Sequence, residues 1–335
     1  MTGSKPLITV YGATGNQGGS VARSLLRNPS FRVRGITRNV DSKASQLLKA
    51  LGTEMVQGDG FDQGSMEAAF SGAWGAFVNM NSDDKIFTNP DGPTEFDMGK
   101  IVVDAAAKGG VETLVFSSGP PCTEMTKGKV SMKAMDMKYR IEQYARGLGV
   151  FKTITPINPG WFMENFLFEE VAPIFGGFPY VEDGEGFLTF RVPRWGGKEN
   201  VPFLSVVEDF GDIVQGIFLQ PQRWNGHVVH GLSDIRSFDE LVDDFARVTG
   251  KKARYLPVLP SWEAFDIKGI HELQDVKLMF GFTQNTGGLY FGLEPTEGET
   301  AAQLKTTTAA ALGRIGSESK LISTLAWFSK SFGNK

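Results

Sequence analysis

The sequence predicts an α/β protein: a Rossmann-type, doubly wound parallel sheet followed by a smaller α+β C-terminal lobe. Three observations carry this expectation. Apolar, β-rich runs alternate with amphipathic stretches through the first half of the chain, the order that βαβ units require. Gly12, Gly15 and Gly18 stand at three-residue intervals between the first apolar run and the first amphipathic stretch. At 335 residues the chain exceeds one ordinary core, so an added lobe is expected. The boundary is placed between residues 1–157 and 158–335, with the two parts interleaved.

Residues 7–10 form a short buried strand, and 20–26 continue a helix beyond the glycine turn. Strands are then expected at 31–36, 54–58, 75–80, 112–117 and 153–156. Helices are expected between them at 44–51, 65–70, 99–108 and 133–147. Such units cross over right-handedly, and ligands bind beyond the carboxyl ends of the strands.

The residues just past each strand therefore matter most. The first turn, Gly12-Ala13-Thr14-Gly15-Asn16-Gln17-Gly18, delivers backbone N–H groups at a helix N-terminus, whose partial positive charge suits a pyrophosphate. The spacing is G-x-x-G-x-x-G rather than the commoner G-x-G-x-x-G. After the second strand comes Arg38, with Lys43 one turn on, where an NAD-preferring site would usually carry Asp or Glu. A guanidinium pairs bidentately with a 2′-phosphate, so NADP(H) is preferred to NAD(H). The alternative is a solvated surface arginine. Asp59 and Phe61 come after the third strand as candidates for the adenine, or as an Asp/Gly turn capping the next helix. Asn79 and Met80 would border the ribose and nicotinamide, and Ser117 would meet substrate or serve only as a turn residue.

Composition removes other classes. A net charge of −4 without a Lys/Arg-rich run offers no direct grip on nucleic acid. No apolar run approaches the roughly 20 residues of a membrane-spanning helix. The N-terminus runs straight into the first strand without a secretory signal, and the single cysteine, Cys122, allows no internal disulfide. Both fit a cytoplasmic protein, or a nuclear one. Three histidines and one cysteine make a His/Cys metal site unexpected.

The segments V-Y-G-A-T-G-N-Q-G-G-S-V, G-I-T-R-N, V-Q-G-D, V-F-S-S-G and P-I-N-P-G-W-F-M-E-N-F, in this order, resemble the NmrA-like family of atypical short-chain dehydrogenases/reductases. The likeness spans roughly residues 7–252. It implies a Rossmann domain, a smaller lobe, and NADP(H) or NAD(H) held by Gly12, Thr14, Gly15, Asn16, Gln17 and Gly18, with Asn158 and Pro159 beside the nicotinamide. The family includes reductases and also nucleotide-sensing regulators. Superfamily reductases place a proton-donating Tyr four residues before a Lys. Here Lys138 matches the lysine, but Ala134 stands where the tyrosine is expected. Tyr139 would point about 100° round the helix. The resemblance thus implies an NADPH-dependent reductase using Lys138 and Ser117 on a small carbonyl or conjugated substrate; the alternative is a non-catalytic sensor acting through a protein partner.

In the lobe, Trp161, Phe162, Met163 and Phe166 offer an apolar wall for a flat hydrophobic substrate, or plain core, with Asn158 and Asn165 as polar handles. Residues 176–197 read as extended hairpins over the cleft. Glu208, Asp209 and Asp212 read as structural acids at a helix start, and His227 and His230 fall on opposite strand faces. Trp262 and His271 are candidates to close over a substrate.

Overall fold

The structure, a computed structural model, describes residues 5–89, 91–270 and 273–333. Its strands in chain order are β1 (Leu7–Tyr11), β2 (Arg32–Thr37), β3 (Glu54–Gln57), β4 (Gly75–Val78), β5 (Thr113–Ser117) and β6 (Thr153–Pro159). Then come β7 (Trp161–Phe162), β8 (Leu188–Phe190), β9 (Val201–Leu204), β10 (Val229–Gly231), β11 (Asp234–Arg236) and β12 (Ala253–Tyr255). The first helices are α1 (Asn16–Leu26), α2 (Lys43–Ala50), α3 (Gln63–Phe70), α4 (Glu95–Lys108), α5 (Cys122–Met125) and α6 (Lys133–Leu148). The remainder are α7 (Gly211–Leu219), α8 (Pro221–Trp224), α9 (Phe238–Thr249), α10 (Gln274–Thr286), α11 (Glu299–Ala311) and α12 (Thr324–Phe332).

Seven strands form one parallel sheet in the order β10-β6-β5-β4-β1-β2-β3. Its two faces are written in the period-two pattern of each strand. Phe77 and Val115 join a core beneath α1, α7 and α11, while Ala76, Val78, Leu114 and Phe116 join another beneath α3, α4 and α6. Strands buried on both faces read as continuous apolar runs, which is why they were legible. The last strand comes from far downstream: β10 pairs with β6 through Val229–Ile157 and His230–Asn158. His230 is buried and stacks on Phe291 with ring centroids 4.3 Å apart, whereas His227 is exposed.

A third core fills the lobe. Trp161 sits at its centre, its ring 5.6 Å from Phe238, 5.7 Å from Phe280 and 6.3 Å from Trp195. The segment 176–197 sends Phe178, Leu188, Phe190, Val192 and Trp195 into this core, which corrects the hairpin expectation: β8 pairs in parallel with β12. The Gly and Pro residues there bend the chain around buried rings instead of turning strands back on themselves. Cys122, Val130 and Met132 belong to the same core although they precede the expected boundary.

The acids at 208–212 have a structural task. Asp212, buried at the start of α7, accepts from Ser24, Arg27, Lys305 and Arg314, so one carboxylate joins α1, α7 and the far-downstream helix α11. Burial works against its ionisation, but Lys305 and the hydrogen bonds outweigh it and hold its pKa below the usual value.

Candidate functional site

Two adjoining cavities open at the carboxyl ends of the central strands. The larger, about 740 Å³, is lined by Gly12, Thr14, Gly15, Asn16, Gln17, Arg38, Asp59, Asn79, Met80 and Lys138, all foreseen from the sequence. Gly12 adopts φ +76°, and a Cβ there would lie 2.9 Å from the Asn79 carbonyl oxygen, so only glycine lets the turn pass this close to β4. Gly18 faces away from the cavity and does a different job. A Cβ on it would fall 2.2 Å from the Gly12 carbonyl oxygen, so its bareness seats α1 against the turn. Gly15 caps α1 without a side-chain hydrogen bond, the first-turn amides have no partner inside the helix, and Gly15, Asn16 and Gln17 line the cavity. This cradle fits a diphosphate.

Several foreseen residues stand elsewhere. Lys43 is exposed at the start of α2 and Phe61 packs edge-on against Phe87; neither lines the cavity. The short turn after β2 carries Arg38 inward but leaves Lys43 on the outer side. Asn158, Pro159 and Ser117 line the second cavity. Asp59 does line the first; its carboxylate also accepts from the Phe61 N–H at 3.0 Å within the turn, and Asp62 rather than Asp59 caps α3.

That second cavity, about 290 Å³, is bounded by Pro120, Met132, Met135, Trp161, Phe162 and Met279. Trp161, Phe162 and Asn165 of the foreseen wall reach it, while Met163 and Phe166 are core. Gln17, Lys138, Phe162 and Asp275 line both cavities and mark their junction. Asp275 arrives on α10, a region to which the sequence assigned no cofactor or catalytic residue. Trp262 lines neither cavity and packs over Gly281; His271 lies outside the described residues.

At the junction the polar atoms are already engaged. Ser117 Oγ donates to Gln17 Oε1 at 2.7 Å, tying β5 to the glycine turn. Lys138 Nζ donates to Glu95 Oε1 at 2.6 Å and also to Ser82 Oγ. Both charges are largely withdrawn from water, at 13% and 5% side-chain exposure. Glu95 was missed from the sequence, although Thr94 and Asp97 spell the capping box that starts α4 one residue before it. Asn158 Nδ2 donates to the Phe291 carbonyl at 3.0 Å, and its buried Oδ1 has no partner among the described residues. Tyr139 lines neither cavity, and Ala134 offers no proton. Cys122 is fully buried in the lobe core, and that burial pushes its thiol up, away from the thiolate form.

Comparisons with known proteins agree with this architecture. The NmrA-like family model matches residues 4–311. The NmrA-like family domain-containing oxidoreductase lnaB of Aspergillus flavus is 67% identical over 334 residues, covering 100% of both chains. FrzB of Cladobotryum sp, likewise described as an NmrA-like family oxidoreductase, is 66% identical over 98% of this chain and 99% of its own. Among solved structures, NmrA, a negative transcriptional regulator crystallised with NADP, superposes with TM-score 0.75 at 20% identity, covering 98% of this chain and 96% of its own. An NADPH-dependent quinone oxidoreductase of Escherichia coli in complex with NADPH superposes with TM-score 0.68 at 18% identity, over 97% and 100%. Among the described residues no helix is long and apolar enough to cross a membrane. The match across nearly the whole chain and the identity to full-length relatives lead to one conclusion: this protein belongs to the NmrA-like family.

Proposed function

We propose that the chain is an NADP(H)-binding oxidoreductase that reduces a small, flat, apolar carbonyl or conjugated double-bond compound. The observation carrying this reading is the junction: a glycine-built cavity opens directly into an apolar one, with Lys138 lining both. Relatives at 67% and 66% identity carry the name oxidoreductase, which supports the assignment. Residues 1–157 would contribute most of the nucleotide site and 158–335 most of the substrate wall, in a reducing compartment, cytosol or nucleus.

The cradle of α1 amides would hold the diphosphate and Arg38 the 2′-phosphate. Bound NADPH supplies a hydride from its nicotinamide ring to an electrophilic carbon. The chain's own residues do the rest. Met132, Met135, Trp161 and Met279 exclude water and pack against a flat substrate. Asn158 Oδ1 accepts a hydrogen bond from a substrate N–H or O–H. Lys138 Nζ, held by Glu95, places positive charge where the acceptor oxygen gains negative charge and carries a proton that can pass to it. Ser117 can orient that oxygen only by releasing Gln17.

A second reading, a nucleotide sensor acting on a protein partner, is favoured by Ala134 and by the engagement of Lys138 with Glu95. NADPH oxidation screened against quinones, aldehydes and enones separates the two. Turnover that Lys138→Met removes supports the enzyme. NADPH binding without turnover on any acceptor supports the sensor.

A further inference from the structure

We propose that Asp84 sets the balance between NADP(H) and NAD(H) in this protein. The inference rests on the reading of Arg38 as the 2′-phosphate ligand and adds a residue that opposes it. Arg38 Nη1 lies 2.7 Å from Asp84 Oδ2, with the guanidinium side chain 63% exposed and the carboxylate 14%. Asp84 is held in place from behind. It caps the short 3₁₀ turn Lys85–Thr88, its Oδ1 accepting from the Ile86 N–H at 3.2 Å. The anchored carboxylate and the more exposed arginine both line the nucleotide cavity, together with Asp59 and Asp83.

One guanidinium therefore faces two anions. A 2′-phosphate reaching Arg38 must take over a donor that Asp84 already holds, and must sit beside a fixed negative charge. A 2′-hydroxyl faces the opposite situation, since it donates a hydrogen bond that a carboxylate accepts. Asp84 thus lowers affinity for NADP(H) and supports NAD(H), the task that an acid at the end of β2 performs in NAD-preferring sheets. Here the acid comes from the segment after β4 instead. The Tyr11 hydroxyl, which lines the same cavity, is pushed up to about 12 by burial first and then by Asp59, with Arg38 opposing and Asp84 adding.

The test is calorimetric titration of the full-length protein with NADPH and with NADH, for wild type, Asp84→Asn and Asp84→Ser. Both replacements keep an oxygen able to cap the 3₁₀ turn. NADPH should bind roughly three- to tenfold more tightly in either variant, with NADH unchanged or weaker, and the gain should shrink in high salt. If wild type binds both nucleotides and their affinity ratio stays the same in both variants, the proposal is overturned while the dinucleotide site stands. If wild type binds neither nucleotide, the site assignment is overturned and the proposal with it.

Discussion

The two cavities are built from different materials. The larger is shaped mainly by backbone: a turn that tolerates no Cβ at Gly12, the exposed amides of α1, and a rim of Arg38 against Asp59, Asp83 and Asp84. The smaller is shaped by side chains, four of them sulfur or indole, drawn from α6, β7, α10 and the segment before α6. Backbone recognition suits a ligand whose shape is invariant, and it leaves little freedom to vary. A wall of flexible methionines can be recut for a new substrate without touching the sheet. The structural neighbours that share the fold include a negative transcriptional regulator and an NADPH-dependent quinone oxidoreductase.

If the contrast is sound, a backbone-side change should cost most. Gly18→Val forces a side chain into the Gly12 carbonyl, so thermal unfolding should show a loss of about 3 kcal/mol or more, and dinucleotide binding should disappear. A Gly18→Val protein that is fully stable and binds NADPH normally breaks the claim that α1 must seat against the turn.

At the junction, Lys138→Met should cost about 3 kcal/mol in denaturant unfolding, because Glu95 is left buried and unpaired. Adding Glu95→Gln to it should recover part of that loss. A fully additive double variant would mean that the pair is not coupled. On the rim, Arg38→Glu should weaken NADPH by about 2 kcal/mol, roughly thirtyfold, and leave NADH nearly unchanged, as read by titration. Equal losses for both nucleotides would remove the phosphate role from Arg38.

Across the junction, Met135→Ala should leave NADPH affinity within about twofold while altering which acceptors are reduced, since distant sites add independently. The smallest effect concerns pH. Burial lowers the pKa of His230, against the opposing pull of Glu297, so the folded state binds that proton less readily than the unfolded chain. The associated stability is therefore complete above the unfolded value, about 6.5, and is lost as pH falls below it. His230→Asn should flatten the fall in melting temperature between neutral and mildly acidic pH. An unchanged slope would show that His230 does not titrate with unfolding.

The same contrast governs how much could be read from the sequence. The glycine turn and the alternating strands were legible because φ preferences and two-residue periodicity are local properties. Arg38, Asn79, Met80 and Lys138 were located because they lie just past a strand or on a helix whose place was known. Asp84 and Glu95 were missed although each stands beside a readable helix-start signal, since nothing local says that a capping segment faces a ligand. Asp275 reaches the junction, and Lys305 reaches Asp212 across 93 positions, through packing of elements far apart in sequence, which no local pattern encodes. The segment 176–197 misled for a related reason: its Gly and Pro residues signalled turns, but buried aromatic rings decided the path.

The most direct test of the central claim is a structure of the protein bound to NADP. The diphosphate should lie on the first turn of α1, the 2′-phosphate against Arg38, and the nicotinamide at the junction beside Lys138, facing the smaller cavity. A nicotinamide directed away from the smaller cavity, or a diphosphate bound anywhere other than the glycine turn, would contradict it.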